Sequence, residues 1–300
     1  MKPVTRITLT DDNGIKFFGE GPCRLLRAVE KTGSLRAAAM EMEMAYSKAN
    51  KLLKQAEQAL GYPLTARSTG GRDGGGSTLT PEGRKLLEQY EAYRDACVKA
   101  NQALYRRFFP RIGCVIMASG LGKRFGGNKL MADFRGRPMI QMALDATEGL
   151  FARRVVVTRH EDVAALCREQ GIEVLLHDLP HRSDTVRLGL EALGELDGCM
   201  FLPGDQPLLR RETVARLLDC WQESPDSIVR PIHEDTVGSP VLFPAWAFAE
   251  LRNLPEGKGG GVVIRNHPHD VLGVSVSDPF ELADADTPET LELLQCLHHA

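Results

Sequence analysis

The chain has 300 residues, 43% of them hydrophobic, with 37 Lys and Arg against 40 Asp and Glu and a formal charge of −3. That length supports about two domains with cores of their own, and no run of 18 apolar residues is present to span a membrane. The start, MKPVTRITLTDDNG, has no apolar signal-peptide core, and the seven scattered cysteines form no CxxC pair, so a cytoplasmic protein with reduced thiols and no zinc site is expected.

Residues 1–110 hold 18 Lys and Arg against 12 Asp and Glu, a balance of +6, while residues 111–300 hold 19 against 28, a balance of −9. This split predicts two parts with different partners, the first meeting a polyanion. GPCRLLRAVEKTGSLRAAAMEMEMAYSKANKLLKQAEQALGYPL, from Gly21, predicts three short helices. Leu25, Leu26 and Val29 form an apolar face on the first, and Thr32-Gly33-Ser34 ends it and caps an Ala-rich second. The third, from about Tyr46 to Leu60, turns Ala49, Leu52, Leu53 and Ala56 inward. Small residues on the second helix let the third cross it closely, as a helix-turn-helix requires. Ser47, Lys48, Asn50, Lys51 and Lys54 then face outward, with side chains suited to phosphates and base edges. Next, two short strands flank a Gly-rich tip carrying Arg67, Arg72 and Asp73, in the manner of a wing. Thr80 caps and Pro81 starts a long helix, with Leu86, Leu87, Tyr90, Tyr93, Val98 and Leu104 spaced for packing along a seam.

TGSLRAAAMEMEMAYSKANKLL followed by STGGRDGGGSTLTPEGRKLL resembles the winged-helix domain of ModE-type molybdate-responsive regulators, related to LysR-type heads, over about residues 15–105. The resemblance implies that the third helix and the wing touch duplex DNA, through Ser47, Lys48, Lys51, Lys54, Arg67 and Arg72, and that the long helix makes a homodimer. The molybdate-binding modules that follow in those regulators have no match in this sequence. A helical domain that is structural only, without a DNA-binding face, is the alternative reading of the same residues.

Beyond Pro110 the pattern alternates. Strands are predicted at CVIMA, RVVVT, EVLLH, GCMFLP, SIVRP, SPVLF and DVLGVSV, with helices at about 138–149, 161–170, 185–194, 211–222, 245–252 and 287–297. This predicts a Rossmann-like, mostly parallel α/β sheet covered on both faces over residues 111–300, behind a winged helix-turn-helix domain at 1–110. Ligands in such sheets bind beyond the carboxyl ends of strands.

Three strand-end loops stand out. In VIMASGLGKRFGGNKLM, Gly120, Gly122, Gly126 and Gly127 allow backbone N–H groups to converge on an anion, while Lys123, Arg124 and Lys129 bring charge. The loop is neither a Walker A sequence nor GxGxxG. In MFLPGDQPLL, Asp205 ends an apolar strand and is either a helix N-cap or the holder of a cation. In LADADTPETLELL, Thr287 and Pro288 account for a helix start but not for Asp284 and Asp286, which with Asp205 could hold Mg²⁺ through oxygen ligands.

MASGxxxRFGxxK, PGDQP and DxDTPE together resemble the MobA-like NTP-transferase family, and more closely its molybdenum cofactor cytidylyltransferase branch, from about 112 to 296. RSDTVRLGLEAL, GSPVLFP and PEGKGGGVVIR extend the match. The resemblance implies nucleotide binding by Ala118, Ser119, Gly120, Gly122, Lys123, Arg124, Gly126 and Lys129, catalysis with Arg124, Lys129 and Asp205, and Mg²⁺ on Asp205 and Asp286 with Asp284 beside them. Gly238, Ser239 and Pro240 match an element near the acceptor, with Ser239 departing from the family's Asn or His. Ala118-Ser119-Gly120 is closer to the Ala-Ala-Gly of cytidylyl transfer than to the paired glycines of guanylyl enzymes. The implied reaction moves CMP from CTP to the phosphate of a molybdopterin-type cofactor and releases pyrophosphate, with a molybdoenzyme or its chaperone as a further partner. The alternatives are a molybdenum-linked DNA-binding regulator with a nucleotide- or cofactor-sensing second domain, and nucleotidyl transfer to another small phosphate.

Overall fold

The computed structural model describes residues 3–67, 76–122 and 124–297 and divides into two compact units, residues 1–105 and 106–300. The first unit begins with an antiparallel hairpin of β1 (Thr8–Thr10) and β2 (Lys16–Gly19), which sequence patterning does not reveal. Helices α1 (Glu20–Thr32), α2 (Leu35–Glu41) and α3 (Tyr46–Leu60) follow, then the paired strands β3 (Thr65–Arg67) and β4 (Ser77–Leu79) and the long helix α4 (Pro81–Phe108). Gly33 stops α1 in the left-handed conformation, and Ser34 Oγ accepts from the Ala37 amide to start α2. Ala38, Ala49 and Ala56 are fully buried between the helices, beside Leu25, Leu26 and Val29. Thr80 Oγ1 accepts from the Gly83 amide at 2.9 Å and donates to the Pro63 carbonyl at 2.8 Å, so one hydroxyl both caps α4 and holds it to the start of β3.

The predicted seam on α4 divides. Leu87 and Tyr90 are buried against this unit's core, and the Tyr90 hydroxyl donates to the Ile7 carbonyl at 2.9 Å. Tyr93 and Leu104 lie outward instead, 55% and 54% exposed, because the apolar cluster that α4 joins ends at Tyr90.

The second unit runs β5 (Ile112–Ala118), the small hairpin β6 (Asp133–Phe134) and β7 (Arg137–Pro138), α5 (Ile140–Thr147), β8 (Arg153–Thr158), α6 (Glu161–Glu169) and β9 (Glu173–Leu176). It continues with α7 (Arg182–Leu193), β10 (Gly198–Pro203), α8 (Arg211–Glu223), β11 (Ile228–His233), β12 (Thr236–Val237) and β13 (Val241–Pro244). Helices α9 (Phe248–Arg252) and α10 (Gly261–Asn266), strand β14 (Val271–Ser275) and α11 (Pro288–Cys296) complete it. The sheet order is β9-β8-β5-β10-β13-β11, with β12 and β14 also paired to β11. Pairs β10–β5, β5–β8, β8–β9 and β11–β14 are parallel, and β13 runs antiparallel to both neighbours. Apolar clusters fill both faces. Ile116 belongs to one and Val115 to the other, because successive residues of a strand point to opposite sides. Among the described residues no helix is long and apolar enough to cross a membrane.

Helix α7 lies on the sheet at Gly189, where a Cβ would fall 2.6 Å from both methyls of Val115. Gly189→Ala would gain about 1 kcal/mol of helix propensity. It would also press into a buried branched side chain that cannot swing away. A net loss of about 1–2 kcal/mol is expected from overpacking, measured as a lower urea midpoint at unchanged slope.

Candidate active site

Strands β5 and β10 are parallel neighbours with Met117 opposite Pro203, so the loops leaving their carboxyl ends start side by side. Because β13 is antiparallel to β10, with Val241 opposite Phe201, its leading residues Gly238–Pro240 come to the same edge. The segment before α11 is fastened there by the Ala285 amide, which donates to the Asp205 carbonyl at 2.9 Å. Topology thus gathers all three loops singled out in the sequence.

The loop after β5 turns at Gly122, where φ is +57° and a Cβ would meet the Gly127 carbonyl at 2.2 Å, a place only glycine fits. Its carbonyl accepts from the Phe125 and Gly126 amides at 2.9 and 3.1 Å, so these two donors are spent inside the turn. The start of the loop is held from below. Thr158 Oγ1 donates to the Ala118 carbonyl at 2.9 Å, and His160 Nε2 donates to the Gly120 carbonyl at 2.8 Å. Ser119 Oγ donates to the Val157 carbonyl at 3.0 Å and lies 2.8 Å from His177 Nε2, which therefore donates to it. Burial, and then the nearby Arg159, push the His177 pKa below its ordinary value, keeping the imidazole neutral.

Lys129 opens a single 3-10 turn (Lys129–Met131) capped by Asn128 and is only 7% exposed. Its Nζ lies 2.6 Å from Asp205 Oδ2 and 2.8 Å from Asp286 Oδ1. Burial alone would lower the Lys129 pKa, but Asp205 and Asp286 together outweigh it and hold the ammonium above its ordinary value. The Lys129 hydrogen bond in turn keeps the Asp286 carboxyl below the usual carboxylate range. Arg124 Nη1 reaches the other Asp286 oxygen at 3.3 Å. Asp284 has a different setting: Gln206 Nε2 donates to it at 3.0 Å, and burial followed by the charge of Asp205 pushes its carboxyl up.

The structure removes one of the two readings of Asp205, that of a helix cap. The N-cap of α8 is Arg210, five residues beyond Asp205, so Asp205 does not cap that helix. Thr287 does cap α11, its Oγ1 accepting from the Thr290 amide at 3.2 Å, which frees Asp284 and Asp286 for other work. Among the described residues no three Asp, Glu, His or Cys side chains stand together as a ready metal cage. Asp205 and Asp286 nevertheless offer hard oxygen donors converging on one point, now met by the Lys129 ammonium. Two carboxylates completed by substrate phosphates are a usual set for Mg²⁺, so the residues fit that ion without a third protein ligand.

A cleft of about 520 Å³ lies over these loops, lined by Ser119, Gly120, Lys129, Asp205, Asp284 and Asp286 among others. Ser239 borders it, Ala118 is buried beneath it, and Gly238 packs against Leu282. Pro240 is buried, Gly126 shapes the turn, and Lys123 lies outside the described residues. Sequence patterning does not find His160, His177 or Arg159, each an isolated residue at a strand end or beyond it. In the first unit Ser47, Lys48, Lys51 and Lys54 are exposed along α3, and Arg67 donates to Asn50 at 3.3 Å, joining the wing strand to that helix. Arg72 falls outside the described residues.

A sheet with a basic glycine loop and paired aspartates at its carboxyl edge, carried with a winged helix-turn-helix, defines a nucleotide-handling protein with a regulator-like head. The chain belongs to the MobA-like NTP transferase family, whose domain matches residues 114–271. Residues 23–84 match the bacterial regulatory helix-turn-helix protein of the lysR family. Among curated proteins, the 3-deoxy-manno-octulosonate cytidylyltransferase of Neisseria meningitidis serogroup C (strain FAM18) is 32% identical over 116 residues, 35% of this chain and 44% of that one. The molybdenum-pterin-binding protein MopB of Rhodobacter capsulatus is 37% identical over 75 residues, 25% of this chain and 28% of that one. The chain spans less than half the length of either relative. Among solved structures, Rv0371c of Mycobacterium tuberculosis H37Rv superposes with a TM-score of 0.53 at 23% identity, over 62% of this chain and 97% of that chain. The same protein has also been solved in complex with manganese, matching with a TM-score of 0.51 at 22% identity over 62% of this chain and 98% of that chain.

Proposed function

We propose that the second unit transfers CMP from CTP to the phosphate of a molybdopterin-type cofactor in its molybdenum-loaded form, releasing pyrophosphate. The observation that carries this reading is the buried Lys129 clasped between Asp205 and Asp286 at the mouth of adjoining strands. A sensor that merely binds a nucleotide has no need of two carboxylates converging on one point.

In the proposed reaction an oxygen of the acceptor phosphate attacks the α-phosphorus in line, and the bond to the bridging oxygen breaks as pyrophosphate leaves. No protein nucleophile is required; positioning and charge neutralisation supply the catalysis. Arg124 and the loop amides hold the β- and γ-phosphates, and Lys129 turns from the aspartates to the α-phosphate. Asp205 and Asp286 hold Mg²⁺, which when bound neutralises developing charge on the phosphate oxygens. Ser239, at the edge of the cleft, meets the acceptor. Divalent metal use is typical of the family, and the manganese complex of the mycobacterial neighbour supports a cation here. The cytidylyltransferase relatives and the Ala118-Ser119 pair support CTP, and the partial likeness to MopB supports a molybdenum link.

Incubation with each NTP, Mg²⁺ and purified cofactor, with pyrophosphate as the readout, tests the reading. CTP is expected to be the best donor and GTP clearly poorer, because the Ser119 side chain, which lines the cleft above the buried Ala118, narrows the space that paired glycines would leave for a purine. A preference for GTP would move the protein to guanylyl transfer.

A second role is favoured by the exposed row Lys48, Lys51 and Lys54 on α3. We propose that residues 1–110 dimerise through α4, whose Tyr93 and Leu104 are exposed, and bind duplex DNA at a roughly palindromic site. Affinity is expected to fall steeply with salt, and each Lys→Ala change in that row to lower the salt slope by about 1. Gel-shift titrations of genomic fragments at two salt concentrations measure this. Absence of specific binding by the full chain and by residues 1–110 would make the head a docking module and leave the enzyme reading standing.

A further inference from the structure

Beside the nucleotide cleft, and joined to it at Met117, Arg182 and Ser239, lies a second cavity of about 390 Å³. Phe201 and Phe243, packed edge to face at 5.9 Å between ring centres, form part of an apolar wall. Four cations surround it: Arg182 from the start of α7, Arg230 from β11, Lys258 from the glycine-rich segment before α10, and Arg265 from α10 itself. No Asp or Glu lines it, and among the described residues none of the four cations has a carboxylate within ion-pair reach. This concentration of unpaired positive charge sits in a part of the chain whose balance is −9.

Arg230 is the most telling of the four. It is half-buried, and its Nε and Nη2 donate to a single neutral acceptor, the Gly238 carbonyl, at 3.2 and 3.0 Å. Burial pulls its guanidinium below its ordinary value, with no opposing charge to restore it. A desolvated cation without a counter-ion costs stability, and the fold retains it at the wall of a cavity. The Gly238 carbonyl that it holds also precedes Ser239, so Arg230 ties this cavity to the edge of the cleft. His181 Nε2 stands 3.6 Å from Glu256, linking the α7 start to the segment that carries Lys258.

We propose that this second cavity is a subsite for the body of the acceptor and that Arg182, Arg230, Lys258 and Arg265 recognise a negative charge on it, separate from the group that is nucleotidylated. The inference rests on the nucleotidyl-transfer reading and narrows its substrate class: an acceptor with a small, partly apolar body and at least two anionic groups. The cavity, at about 390 Å³, falls within the range of small-molecule sites. An acceptor with a single charge would leave four cations unanswered after losing its own water.

Inorganic phosphate is the probe. The full chain is saturated with Mg²⁺ and the α,β-methylene analogue of CTP, which fills the first cleft, and phosphate binding is followed by ³¹P line broadening. Wild-type protein is expected to bind phosphate, and a Lys258→Gln, Arg265→Gln double variant, changed only at exposed positions, to bind it at least about tenfold more weakly with unchanged affinity for the CTP analogue. Equal phosphate affinity in the two proteins, or no binding to the wild type, would overturn the proposal. Failure of the analogue itself to bind would count against the nucleotide reading alone; the difference in phosphate affinity between the two proteins would still decide the second cavity.

Discussion

Asp205→Ala is expected to remove nearly all nucleotidyl transfer while the protein stays folded. The carboxylate stands 2.6 Å from Lys129 and converges with Asp286 on the point where a divalent cation is proposed to sit. Removing one of two protein oxygens leaves the triphosphate and its cation without half of their fixed negative anchor. A loss of several kcal/mol from transition-state stabilisation is about 10²–10⁴ in rate. The fold should survive with a lower Tm, because Lys129 keeps Asp286 as a partner, Asp205 does not cap α8 and its main-chain carbonyl still accepts from Ala285. Pyrophosphate release at saturating Mg²⁺, beside a thermal melt, measures both halves. Near-normal turnover would show that Asp205 holds no catalytic metal.

Lys129→Ala should be almost as severe, by a different route. Lys129 is the buried cation between two carboxylates, and with it gone Asp205 and Asp286 face each other uncompensated. Removing one member of a buried charge cluster commonly costs about 3–5 kcal/mol, here spread between stability and NTP binding. Asp286 is half-exposed and solvent will soften its share. The expected signature is a large rise in KM for the nucleotide with a fall in kcat, together with a lower Tm that added Mg²⁺ partly restores. Lys123→Ala is expected to matter much less, since only Lys129 falls on the lysine of the MASGxxxRFGxxK pattern. Equal losses from the two would mean a diffuse basic patch and would undo the register of the loop.

The parts of this site legible in the sequence are those where local chemistry conflicts with local structure. A basic glycine loop directly after Val115–Ala118, an aspartate ending the buried strand at Pro203, and two aspartates that a Thr287 cap does not explain each invite a question. The order of strands along the chain was equally readable, since β-branched residues mark β5, β8 and β11 and a short apolar run, CMFL, marks β10. The β1–β2 hairpin and α10 escaped because three to six residues are too few to establish a period. The ion pairs of Lys129 escaped for a different reason: they join positions 129, 205 and 286, and only the sheet brings those together. The four cations of the second cavity are likewise contributed by separate elements, and no spacing rule connects Arg182 to Arg230 or Lys258.

The lysine between the aspartates also changes when the work of assembling the site is done. Two like charges from loops some eighty residues apart would repel in an empty cleft, and a ligand would have to gather them on arrival. Lys129 gathers them during folding, acting as a tethered counter-ion that cannot diffuse away. The ordering entropy is therefore lost once, on the folding side, and not again at each encounter with a nucleotide. On the proposed reading, nucleotide binding is a change of partners within a cluster that folding has already assembled.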